Sequence, residues 1–192
     1  MNEELRRAAK IMVIRHAEKP TDEAPCGVTE EGERESESLT VRGWQRAGAL
    51  AALLAPPDGT LRDPALAEPR FIYASKPTKR NGSRRSVETV TPLAAKLSLL
   101  VNTNFQRDEY AEMLEDVFVC RGVVLISWQH DFIPLIARAL LGQQATAAPH
   151  EWDVDRYDLI WVFDRDPETG LYSFTQVPQN LLAGDRLSPI RT

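Results

Sequence analysis

The chain has 192 residues and carries 23 Lys and Arg against 28 Asp and Glu, a formal net charge of −5. That length can bury a sizeable core, so residues 1–192 are expected to form one domain. The acidic balance speaks against general nucleic-acid binding and against docking on anionic membranes, and 43% hydrophobic with 27% charged residues is a globular composition, not a disordered one.

Ile11-Met12-Val13-Ile14 is a short apolar run ending in Arg15-His16, and Pro20 with the polar stretch beyond it favours a strand over a helix. Residues 21–38 are polar and acidic and read as a loop. Thr40 is placed to cap a helix over roughly 41–55, with Val41, Trp44, Ala47, Ala51 and Leu54 on its apolar face and Pro56-Pro57-Asp58-Gly59 as its stop. Phe71 to Ala74 is a second strand. A basic loop follows, then a helical stretch from about Arg84, and Thr91-Pro92 has the form of a cap and first-turn proline opening a further helical piece. Leu99 to Asn102 reads as a third strand. Tyr110, Met113, Leu114, Val117 and Phe118 fall at helical spacing.

Gly122 to Trp128 is the strongest strand and runs into Gln129-His130-Asp131. Asp131 is suited to cap the next helix, with Pro134 in its first turn and Gly142 at its end. Tyr157 to Asp164 and Leu171 to Val177 flank Pro167-Glu168-Thr169-Gly170 and read as a hairpin. The alternation predicts an α/β fold, a mostly parallel sheet flanked by helices and closed by a C-terminal β-hairpin.

In such sheets ligands bind beyond the carboxyl ends of the strands. His16 and His130 both lie at such ends. The run Lys76, Lys79, Arg80, Arg84 and Arg85 holds no acid in a chain that is acidic overall. It is either a solvated loop or one wall of a phosphate pocket, since Arg forks match phosphate oxygens. Other chemistries fade. Six positions after Cys26 and Cys120 stand Gly32 and Ile126, not the Arg of a cysteine phosphatase. No phosphate-binding Gly-x-x-x-x-Gly-Lys loop occurs, and His150-Glu151 lacks the second His of a zinc protease helix. Trp44 and Trp128 read as core aromatics. Two cysteines make no disulfide framework, so a reducing compartment is the simpler expectation. The opening MNEELRRAAK has no apolar stretch, and no run approaches membrane-spanning length, so the expected location is the cytoplasm.

Four segments carry a family resemblance. Ile14-Arg15-His16-Ala17-Glu18-Lys19-Pro20 resembles the Arg-His-Gly/Ala signature of the histidine phosphatase superfamily, which includes phosphoglycerate mutases and acid phosphatases. Leu39-Thr40-Val41-Arg42-Gly43-Trp44-Gln45-Arg46-Ala47 resembles its Leu-Thr-x-x-Gly-x-x-Gln/Arg-Ala stretch, Arg85-Ser86-Val87-Glu88-Thr89 its Arg-x-x-x-Thr segment, and His130 falls where the family carries its second histidine. They occur in order over about residues 11–141.

The resemblance implies a phosphoglycerate mutase-like fold and a metal-independent phosphate monoester hydrolase that needs no cofactor, acting on a small phosphorylated substrate. His16 would be the nucleophile that becomes a phosphohistidine, and Arg15, Arg85 and His130 would hold the phosphoryl oxygens. Ser75 and Arg85 lie further apart than the family's usual spacing, but the four-residue step to Thr89 selects Arg85 over Arg80 and Arg84. For the general acid, Asp131 directly follows the second histidine as in the acid-phosphatase branch. Glu109 is the second candidate, because the mutase-type Glu context is missing. Glu18 is expected to order its loop. The alternatives are a mutase-like phosphotransferase and a non-catalytic phospholigand-binding protein of the same fold. Specificity is expected in residues 21–38, 76–84 and 143–156.

Overall fold

The computed structural model describes residues 8–24, 26–78 and 82–191. In chain order the elements are β1 (Lys10–Arg15), α1 (Val41–Leu54), β2 (Phe71–Ala74), α2 (Arg85–Leu97), β3 (Val101–Asn102), α3 (Tyr110–Val119), β4 (Val123–Trp128), α4 (Ile133–Leu141), a 3-10 stretch (Gly142–Ala147), β5 (Leu159–Arg165) and β6 (Tyr172–Pro178). They build one sheet in the order β3-β2-β4-β1-β5-β6. The first four strands in that order run parallel, and β5 and β6 are antiparallel additions on the β1 side. This is the expected mostly parallel sheet with a C-terminal hairpin. No helix among the described residues is long and apolar enough to cross a membrane.

The unbroken apolar runs of β1 and β4 follow from burial on both faces. Ile11, Val13, Val124, Ile126 and Trp128 pack on one face with residues of α3 and α4. Met12, Ile14 and Leu125 pack on the other with residues of α1 and α2. Trp128 is fully buried, as expected of a core aromatic, and its Nε1 donates to the Arg107 carbonyl at 2.9 Å. Trp44 is half-buried, and its Nε1 donates to the Val28 carbonyl at 2.8 Å, pinning the acidic loop to α1.

Thr40 caps α1 as expected, its Oγ1 accepting from the Gly43 N–H at 3.1 Å. Ala47, Ala51 and Leu54 are buried as expected and Trp44 is half-buried, but the buried face of α1 is wider than expected and shifted away from Val41. Val41 is 61% exposed, whereas Gly43 and Arg46 are buried with Ala47, Leu50, Ala51, Leu53 and Leu54. The shift is set by backbone approach: a Cβ at position 43 would lie 2.7 Å from the Glu18 carbonyl oxygen, so the helix can close on the Glu18 segment only with glycine there. Pro92 does not open a new helical piece. It lies inside α2, whose Val90, Leu93 and Ala94 are buried, and packing against α1 outweighs one lost backbone bond. The third strand shrinks to two residues.

Asp131 does not cap α4. The helix begins at Ile133 with Phe132 at the cap position and no side-chain cap bond. The N–H groups of Phe132 and Ile133 both donate to the Gln129 carbonyl, at 3.1 and 3.2 Å, so the backbone turn after β4 does the capping and leaves the Asp131 carboxylate out of it.

Candidate active site

Parallel pairing places the C-terminal ends of β2, β4 and β1 at one edge of the sheet. The His16 N–H donates to the Trp128 carbonyl at 3.1 Å, which extends the β1–β4 ladder by a residue and carries His16 to that edge. Because β5 runs antiparallel to β1, with Ile160 opposite Ile14, its first residues and the preceding segment 152–158 arrive at the same edge.

His16 is 5% exposed. Its Nδ1 lies 2.7 Å from the Ala17 carbonyl oxygen, which can only accept; Nδ1 therefore carries the proton and Nε2 is left with its lone pair. Burial, then the Arg15 charge, lower its pKa to about 3, with Arg85 and His130 adding to the effect against the Ala17 bond. The imidazole is thus neutral across the physiological range. The Ala17 N–H donates to Thr89 Oγ1 at 2.8 Å, and Thr89 Oγ1 donates to the Arg85 carbonyl at 2.6 Å, so the step from Arg85 to Thr89 braces the loop after His16 against α2.

Arg15 is 1% exposed. Its Nη1 donates to the carbonyls of Val154 and Arg156 at 2.6 and 3.1 Å, and Nη2 donates to the Tyr157 hydroxyl at 3.3 Å. Its Nε is buried without a partner. The guanidinium carbon sits 4.0 Å from the centre of the Tyr157 ring, and that ring lies 6.1 Å from the His16 ring, centre to centre.

Arg85 faces the acidic loop. Its Nε donates to the Ser38 carbonyl at 3.3 Å, and its Nη2 donates to the Ser36 carbonyl at 2.8 Å and to Glu37 Oε2 at 3.3 Å. Its charge still reaches His16 and Tyr157. Arg84 is exposed and lines a separate cleft with Glu30, Glu31 and Trp44, as expected for a residue pointing elsewhere on that turn. Of the rest of the basic run, Lys76 is exposed, and Lys79 and Arg80 lie outside the described residues.

His130 is half-buried, and burial, then Arg15 and Lys19, lower its pKa against the opposing charge of Asp131. Asp131 is exposed, and its charge acts on both Arg15 and His130. Glu109 is committed elsewhere: its carboxylate accepts from the Gln106 backbone N–H at 2.8 Å and from Gln106 Nε2 at 3.3 Å. Glu18 orders its loop. Its carboxylate accepts from Arg46 Nε and Nη2, and its carbonyl accepts from the Thr40 N–H. A cleft of about 320 Å³ adjoins, bordered by Glu18, Tyr157, Arg42, Asp155 and Arg186. Among the described residues no group of three or more His, Cys, Asp or Glu side chains is placed to hold a metal ion.

Sequence reasoning missed Tyr157 and the Arg46–Asp185 pair behind Glu18, whose Nη2···Oδ1 distance is 2.7 Å. Tyr157 reads locally as the start of a strand. The residue that joins it to the site, Arg15, is 142 positions away.

No family model and no curated protein matches this sequence. Solved structures do match. A candidate alpha-ribazole-5'-P phosphatase from Escherichia coli is 15% identical, with a TM-score of 0.52 over 89% of this chain and 97% of that one. A candidate phosphohistidine phosphatase, SixA, from Agrobacterium tumefaciens is 16% identical, with a TM-score of 0.49 over 82% of this chain and 92% of that one. A phosphoglycerate mutase from Plasmodium falciparum is 11% identical, with a TM-score of 0.49 over 94% and 98%. The likeness to the first of these structures is one of fold.

Proposed function

We propose that this chain is a phosphate monoester hydrolase that works without a metal ion, through a phosphohistidine at His16, on a small phosphorylated substrate. The observation that carries the reading is the state of His16: a buried, neutral imidazole with Nδ1–H bound to the Ala17 carbonyl, Nε2 free and the Arg15 guanidinium beside it. That is the state an imidazole needs in order to attack phosphorus.

Nε2 forms a bond to phosphorus as the ester P–O bond breaks, and the departing oxygen takes a proton from Asp131, which has first taken it up from solvent. Water then attacks phosphorus and loses a proton to the Asp131 carboxylate. The P–N bond breaks, releasing inorganic phosphate and restoring neutral His16. Arg15 and His130 offset charge on the phosphoryl oxygens. Arg85 joins them by exchanging Glu37 for the phosphoryl group. Asp131 is preferred over Glu109 as the acid because Glu109 is held by Gln106, whereas Asp131 is exposed beside His130. With an imidazole nucleophile and three cationic or polar side chains to bind phosphate, the chemistry calls for no ion.

The test is alkaline trapping, because phosphohistidine is labile to acid. The wild-type chain given a nitrophenyl phosphate should form a phosphoenzyme and turn over, and exhaustive chelation should leave both unchanged. His16→Ala should abolish both. Wild-type turnover by His16→Ala would sink the mechanism, as would activity lost on chelation and restored by one divalent ion.

A further inference from the structure

The geometry points to Tyr157 as the residue that positions Arg15 for phosphate, an inference that rests on the hydrolase reading above. An arginine on the last residue of a strand has four side-chain torsions to fix before its fork can meet an anion, and an unfixed guanidinium loses affinity to its own freedom. Here the segment before β5 fixes it. The carbonyls of Val154 and Arg156 take the two Nη1 hydrogens, and the hydroxyl of Tyr157 takes one from Nη2. The guanidinium carbon lies over the Tyr157 ring, 4.0 Å from its centre.

What remains is the edge formed by Nε–H and the second Nη2 hydrogen. Nε is buried and has no partner in the protein. A buried guanidinium N–H left unmade is costly unless something binds it, and the Nε/Nη2 edge of an arginine matches two phosphoryl oxygens. Tyr157, together with the carbonyls of Val154 and Arg156, thus holds the guanidinium in the orientation that leaves this edge open. It also stands against the nucleophile, with its ring 6.1 Å from that of His16, so the arginine and the histidine are registered on one surface.

The segment is stiff enough to act as a mould. Arg156 forms a buried ion pair with Asp158 at 2.6 Å, and its carbonyl accepts from Trp152 Nε1 at 2.9 Å as well as from Arg15. Arg156 Nη2 donates to the Ser188 carbonyl at 2.9 Å. Tyr157 acts on phosphate through Arg15, and its ring face matters more than its hydroxyl, whose bond to Nη2 is long and which also meets the Lys19 backbone.

Two variants separate ring from hydroxyl. Tyr157→Phe keeps the ring face, and Tyr157→Leu keeps apolar bulk for folding but removes the face. Affinity for inorganic phosphate, measured by calorimetry, reports on Arg15 without requiring turnover. Tyr157→Leu should weaken phosphate binding about tenfold and raise KM for a phosphate ester with little change in kcat, while Tyr157→Phe should stay within about threefold of wild type. Wild-type phosphate affinity in Tyr157→Leu would overturn the proposal, and so would a Phe variant as impaired as Leu. A wild-type chain that binds phosphate but yields no alkali-stable phosphoenzyme would overturn the hydrolase reading instead, leaving the calorimetric comparison to judge Tyr157 alone.

Discussion

At position 16 burial and neighbouring cations hold an imidazole neutral, and this has a consequence for stability as well as for chemistry. The unfolded chain protonates this histidine near its ordinary value of 6.5, whereas the folded chain resists until about pH 3. Below pH 6.5 the unfolded state therefore binds more protons, and stability falls as pH falls. Between about pH 6 and pH 5, urea unfolding of His16→Gln should lose a pH slope of about 1.2 kcal/mol per unit relative to wild type. His130 shifts in the same direction but is half-buried, so the slope belongs chiefly to His16. At position 131 the structure removes the simplest structural role, since α4 is capped by backbone groups. If Asp131 donates the proton, Asp131→Asn should slow alkyl phosphates by about 10²–10⁴-fold and spare nitrophenyl phosphates, whose leaving oxygen needs little protonation. Equal losses on both substrates would remove Asp131 as the acid.

α1 shows how an element can be correctly bounded, bury most of its expected face and still be shifted about its axis. Its limits follow from Thr40 and the Pro-Pro stop, which are local signals. Its orientation follows from Gly43 closing on Glu18 and from Arg46 reaching Glu18 and Asp185. Arg46 is 3% exposed and Asp185 2% exposed as side chains. Burial works against the Asp185 charge, but Arg46 and the N–H groups of Leu181 and Leu182 outweigh it and bring its pKa down to about 2. Its contribution is therefore present at neutral pH and lost as pH falls towards that value. Arg46→Leu leaves a buried carboxylate uncompensated and should cost about 3–5 kcal/mol in equilibrium unfolding at neutral pH. A loss below about 1 kcal/mol would mean the pair is solvated in solution.

Across the whole molecule, the site is assembled where strand direction changes. β1 pairs with β4 in parallel on one side and with β5 antiparallel on the other. The parallel side delivers His130 and Asp131, and the antiparallel side delivers the 153–157 segment. Much of this was legible beforehand. The alternation of apolar runs with helical spacing, the hairpin turn at 167–170, and Arg15, His16 and His130 at strand ends are all local patterns, because two-sided burial writes itself into the residues of each strand. Tyr157 was not legible as a site residue. Nothing near it states which strand β5 will pair with, and it meets Arg15 only because that pairing is antiparallel. Likewise Arg85 could be chosen by its step to Thr89, but only the fold shows its guanidinium held by Ser36, Glu37 and Ser38. The sequence by itself determined the main elements, their order and the candidate site residues at the strand ends, since propensity, burial pattern and side-chain chemistry are properties of single residues and near neighbours. The tertiary structure alone decided which of those side chains are buried, which of their hydrogen-bonding groups are already taken, and which distant segment fixes them, since these depend on contacts across more than a hundred positions of chain.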